Sequence, residues 1–133
     1  MNMLVRYIIL GFVVAVLSSA TGIAYSFNYY KLFDFSAVLP FTKIAWLFTS
    51  GSLLVAGLSF VFNKFMKAIG GLIFNVLLAF GTIGSVIIPT VYPPTFPAEI
   101  EMPEFYPAFV IPLHFMVPMI WFALSSYFLK NKP

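Results

Sequence analysis

The chain has one histidine, His114, and it stands in the apolar run Ile111-Pro-Leu-His-Phe-Met-Val-Pro118. Pro112 and Pro118 flank it. Each lacks a backbone N–H and can bend a helix, so carbonyls near the imidazole lose their usual partners. At about the same depth, other apolar stretches offer the hydroxyls of Thr21, Thr49, Ser50, Thr82 and Ser85. Two readings stay open. In one, the imidazole hydrogen-bonds a hydroxyl or a freed carbonyl and only holds helices together. In the other, His114, Thr49, Ser50, Thr82, Ser85 and Trp121 line an outward-facing pocket for a lipid, a quinone or another amphipathic molecule.

The remaining chemistry is sparse, and it excludes several classes. There is no cysteine, hence no disulfide framework, thiolate nucleophile or cysteine metal site. No Asp, Glu, Lys or Arg lies deep in an apolar stretch, which argues against a proton-coupled pump or transporter. A retinal Schiff base needs a mid-helix lysine, and bis-histidine haem within one chain needs a second histidine; neither is present. No phosphate-binding glycine loop and no nucleophile–base–acid set occurs. An enzyme, a metal, a cofactor and a nucleic-acid partner are therefore not expected. Glu99 and Glu101 alternate with Ile100 and, with Glu104, could hold a cation at the surface; an ordinary solvated face is the preferred reading. Asn75 reads as interhelical glue.

Composition shows what must position these groups. Of the residues, 62% are hydrophobic and 8% charged, against about 25% charged in a soluble domain. The surface of such a chain must be solvated by lipid. Charges bracket four uncharged stretches, residues 7–30, 44–63, 68–98 and 105–129. A helix needs about 20 residues to cross the hydrocarbon core, so each stretch is long enough. Pro89, Pro93 and Pro94 mark where the third should end. The spacing predicts helices over about residues 4–27, 42–63, 66–88 and 108–129. The expected fold is all-α, a single polytopic domain over residues 1–133: an antiparallel four-helix transmembrane bundle. A β-barrel is not expected, because the stretches lack period-two alternation and are too continuously apolar. One side then holds Arg6, Lys64, Lys67, Lys130 and Lys132, with no acid. The other mixes Lys31 and Lys43 with Asp34, Glu99, Glu101 and Glu104. The positive-inside rule puts the first side, and both termini, in the cytoplasm. The first stretch resembles a signal peptide only loosely and is read as a retained helix.

Small residues recur at helical spacing: Gly11, Ala15, Ser18 and Gly22 in the first stretch; Thr49, Ser52, Ala56 and Ser59 in the second; Gly71, Asn75, Thr82 and Ser85 in the third. They permit close backbone approach in lipid, so these faces are expected to meet inside the bundle. Two outer loops, about residues 28–41 and 89–107, are aromatic. The second carries six of the ten prolines and three glutamates, which predicts an ordered loop. Tyr92, Phe96, Glu99, Glu101, Glu104 and Tyr106 there form a candidate partner-contact surface. Interfacial anchoring of the aromatics is the alternative.

With its small-residue first helix, an aromatic outer loop leading to Pro40, a short basic turn at Asn63–Lys67, a third helix ending at Pro89 and the Leu113-His114 pair, the chain resembles an uncharacterised family of small bacterial four-helix membrane proteins, a domain of unknown function. The resemblance implies a fold and a bacterial cytoplasmic membrane, but no activity. The proline-rich acidic loop and the phenylalanine content depart from it. The expected role is non-enzymatic: an accessory subunit or partner-binding component contacting another membrane protein, or itself, through its outer loops. The alternative is a binding or carrier protein for an amphipathic small molecule near His114.

Overall fold

Asn2 starts the N-terminal helix, Met3–Tyr29, by accepting the Leu4 N–H at 3.4 Å on its side-chain oxygen. This is the ordinary means of satisfying a first-turn donor. These coordinates are a computed structural model and describe residues 1–130; Lys132, expected on the basic side, lies outside the described residues. The helix presents Gly11, Ala15, Ser18 and Gly22 as buried residues on one face. That face meets Ser52, Ala56 and Ser59 of the next helical segment, which are also buried. A Cβ on Gly11 would stand 2.9 Å from the Ala56 Cβ, so the two backbones approach as closely as small residues allow.

Pro40 leads into the second segment with its φ of −64° already helical and no N–H to leave unpaired. From there the structure departs from expectation. Helical residues run without interruption from Phe41 to Val91, 51 residues, so among the described residues three helices, not four, are long and apolar enough to cross a membrane: Met3–Tyr29, Phe41–Val91 and Pro103–Leu129. The four-helix bundle is therefore corrected to three helical segments. The expected break at Asn63–Lys67 is not a loop: Met66 passes directly into a 3-10 turn and that turn directly into Gly70, so no non-helical residue separates the second and third expected spans.

The long segment instead bends. Lys67 takes φ 51° at the head of a short 3-10 turn, Lys67–Ile69, and separates a first arm, Phe41–Met66, from a second arm, Gly70–Val91. The second arm folds back along the first, and the Phe62 and Phe74 rings lie 5.8 Å apart. The bend requires glycine at position 70, because a Cβ there would collide with the Phe62 carbonyl oxygen. Pro89 does not end the second arm but lies inside it, two residues before its last. The small residues of this arm do not all face inward: nothing stands within 4 Å of a Cβ placed on Gly81 or Gly84.

Two cores result. The first, within the helices, gathers Tyr7, Leu10, Val14, Val55, Phe74, Val117 and Trp121. The second lies under the outer loops, where Phe35, Leu39, Ile44, Tyr106, Phe109, Val110 and Leu113 are buried. Outside them the long segment is nearly bare of protein: only 11% of its most apolar stretch is buried. Trp46, Leu54, Phe65, Leu72 and Phe80 all face outward. Apolar exposure on this scale is tolerated in hydrocarbon and not in water.

Candidate functional site

A cavity of about 600 Å³ opens at the outer end, walled by the first arm, the second arm and the C-terminal helix, Tyr106–Leu129. Its walls are mostly apolar, from Ile44, Leu47, Phe48, Ile88, Val110 and Leu113. A few polar groups interrupt them: His114, Ser85, Lys43, Tyr92 and Tyr106. This is the usual composition of a small-molecule site, apolar walls with a few orienting polar groups.

The polar groups have definable roles. His114 Nδ1 lies 2.9 Å from the Val110 carbonyl oxygen. A carbonyl only accepts, so Nδ1 carries the proton and donates. Neutral His114 then holds a lone pair on Nε2. Ser85 donates its hydroxyl to the Thr82 carbonyl at 2.7 Å, leaving its oxygen able to accept. Prolines add to this. Pro118, inside the C-terminal helix, has no N–H for the His114 carbonyl four residues back, and Pro89 has none for that of Ser85. These groups add acceptors beside His114 and Ser85, while Lys43, Tyr92 and Tyr106 supply the donors of the lining. On the donor side, the Lys43 ammonium reaches the Val38 carbonyl at 3.4 Å and stays exposed.

The candidate residues divide. His114 and Ser85 share the cavity. Thr82 is buried one turn deeper, where its hydroxyl donates to the Leu78 carbonyl at 2.7 Å. Ser50 is exposed and its hydroxyl donates to the Trp46 carbonyl at 2.9 Å, so it serves its own helix. Thr49 is half-buried and does not line the cavity. Trp121 is fully buried and lines a different cavity, at the opposite end. Lys43 and Tyr106 belong to the outer cavity though the sequence assigned them elsewhere. Lys43 looked like a boundary charge and Tyr106 like a loop aromatic, and only the folding of one segment over another brings them together.

The outer loops are turned inward. Phe35 is 1% exposed and stacks on Phe109 at 5.6 Å. Phe96 packs edge-on against Tyr106 at 5.1 Å, and Phe33 stacks on Phe105 at 4.6 Å. Tyr30 donates its hydroxyl to the Leu39 carbonyl and Tyr29 donates to that of Phe105 at 3.3 Å. Burial pushes the Tyr30 hydroxyl up to about 12. At the exposed turn beyond it, hydrogen bonds from Ser36 hold the Asp34 carboxyl below the usual carboxylate range. Of the partner-contact candidates, Tyr92 is exposed at the cavity rim. Glu99, Glu101 and Glu104 are exposed, Phe96 is half-buried and Tyr106 is buried. Among the described residues no three His, Asp or Glu side chains converge.

No family, no curated protein and no solved structure matches the chain.

Proposed function

We propose that this protein binds or carries a lipid, a quinone or another amphipathic small molecule in the outer cavity beside His114. The observation that supports this reading is the cavity itself: about 600 Å³, apolar along its walls, with His114 and Ser85 in the same lining. An occupant with an apolar body and a hydroxyl or amine donor suits it, since His114 Nε2, the Ser85 oxygen and two proline-freed carbonyls all accept. The reading of an accessory subunit docking through aromatic outer loops has less support. The rings it would use, Phe96 and Tyr106 among them, pack on Phe35 and Phe109 instead of facing outward.

In this proposal the protein sits in a bacterial inner membrane. Arg6 and Lys130 line one end together, while Lys43 lies at the other. The positive-inside rule then puts both described chain ends in the cytoplasm and opens the His114 cavity outward. The test is native mass spectrometry of protein extracted gently from its own membrane. A bound mass of lipid size, lost in His114→Ala, is expected. A stoichiometric protein partner, with no small molecule and no effect of His114→Ala, refutes the proposal and restores the docking surface.

A further inference from the structure

The opposite end of the molecule holds a second cavity, of about 580 Å³, whose chemistry is the reverse of the first. Arg6 and Lys130 give it two cations, Asn63 and Asn75 give it amides, and among the described residues no carboxylate is in its walls. Trp121 is also in its lining; the residue is 0% exposed and its Nε1 has no hydrogen-bond partner. An indole N–H only donates, so what it lacks is an acceptor. Buried polar groups are nearly always paired, and an orphan on a cavity wall points to a partner that enters the cavity.

Backbone groups point to the same charge. Met1 and Met3 bring the start of the N-terminal helix to this cavity, and Gly71 brings the start of the second arm. The second arm has no side-chain cap at Ile69. The Gly70 N–H is bonded to the Lys67 carbonyl and the Leu4 N–H to Asn2, so what these two helix starts add to the space is the positive end of each helix dipole. That arrangement favours an anion. Met3, Phe122 and Leu129 complete the lining with apolar surface, which a fully hydrated inorganic ion does not need and an acyl chain does.

We propose that this basic-end cavity binds the phosphate of an anionic phospholipid. Arg6 and Lys130 neutralise the phosphate, Trp121 donates to one of its oxygens, and Met3, Phe122 and Leu129 meet the first methylenes of its chains. A phosphate diester offers acceptors and negative charge together, which is what a wall holding Arg6, Lys130 and amide donors selects. The site is separate from the His114 cavity, so either assignment can fail without the other.

The test uses the whole chain in detergent micelles with Trp46→Phe. Trp46 is 69% exposed and is the other of the two tryptophans, so its replacement leaves Trp121 as the sole fluorophore. Short-chain phosphatidylglycerol, phosphatidylcholine of the same chains, and inorganic phosphate are titrated in turn, with native mass spectrometry counting bound lipid. The expected result is a saturable red shift of Trp121 emission and one phosphatidylglycerol per chain. Arg6→Gln and Lys130→Gln should each weaken binding about ten-fold, the loss of one charge-assisted contact. Lys31→Gln, at the outer end, removes the same charge and should leave the affinity unchanged. Asn75→Leu is a second variant that removes a donor without touching a charge, and it should also weaken binding. Equal affinity for phosphatidylcholine, or indifference to both Arg6→Gln and Lys130→Gln, overturns the proposal. A red shift produced by inorganic phosphate and not by phosphatidylglycerol overturns the lipid as the source.

Discussion

Replacing Gly51 with leucine separates the occupant of the outer cavity from the stability of the helix that lines it. Gly51 lies in the first arm and contributes to the cavity wall, and a Cβ added there meets nothing within 4 Å. A leucine side chain there meets no clash and is expected to take up part of the cavity. Glycine in a helix interior is less favourable than alanine by about 0.8–1 kcal/mol, whereas leucine is close to alanine. The arm should thus gain roughly 0.5–1 kcal/mol. The ligand, by contrast, loses both volume and contact, and its affinity should fall by a factor of about ten or more, equivalent to about 1.4 kcal/mol. Gly57→Leu is the control: it is also in the first arm with open space around its Cβ, but it does not line the cavity. The assay pairs thermal unfolding in detergent, followed by circular dichroism, with native mass spectrometry of the co-purified small molecule. The expected pattern is an unchanged or raised midpoint in both variants and loss of the bound mass in Gly51→Leu alone. Equal occupancy in Gly51→Leu and the parent protein would refute the assignment of the ligand to this cavity. A midpoint lowered in Gly51→Leu and not in Gly57→Leu would show that the space is not open.

Three further perturbations test the scaffold. Gly70→Ala drives a methyl into the Phe62 carbonyl oxygen and should destabilise the fold by about 1–3 kcal/mol; a thermal midpoint equal to the parent's would show that the bend does not depend on glycine. Phe109→Ala removes a ring that is 0% exposed and touches Tyr25, Tyr29, Tyr30 and Phe35, at a cost of about 3–5 kcal/mol, and a loss below 1 kcal/mol in denaturant titration would mean that the outer loops are not held by this cluster. Tyr30 ionises near 12 in the fold, against about 10 in an unfolded chain. Its contribution is therefore fully present below pH 10 and is lost as pH rises toward 12, because the unfolded chain releases its proton first. Denaturant midpoints of the parent and Tyr30→Phe should converge or cross over that window, and parallel curves would contradict the buried position of the hydroxyl.

The sequence by itself determined the solvent of this protein, because hydropathy is a sum over residues that needs no knowledge of neighbours. It also placed the small-residue face of the N-terminal helix, since Gly11, Ala15, Ser18 and Gly22 share a side whatever they pack against. His114 and Ser85 were legible as candidates for the same reason: polar groups in apolar stretches stand out before any fold is known. The continuity of the helix from Phe41 to Val91 was not legible. Charge marks the edge of an apolar stretch, but not whether the chain there leaves helical conformation or tightens into a 3-10 turn, as it does at Lys67–Ile69. Nor could composition tell which way the outer aromatics turn. Phe35, Phe96 and Tyr106 could anchor at an interface, dock a partner or pack on one another, and the third outcome followed from Phe109 rising beneath them. Trp121 shows the same limit from the other side. It was grouped with His114 as lining one pocket, but the two turns of helix between them carry it to the cavity at the opposite end. Cavities are the volume that packing leaves unfilled, and that volume belongs to no single stretch of chain, so only the tertiary structure could decide it.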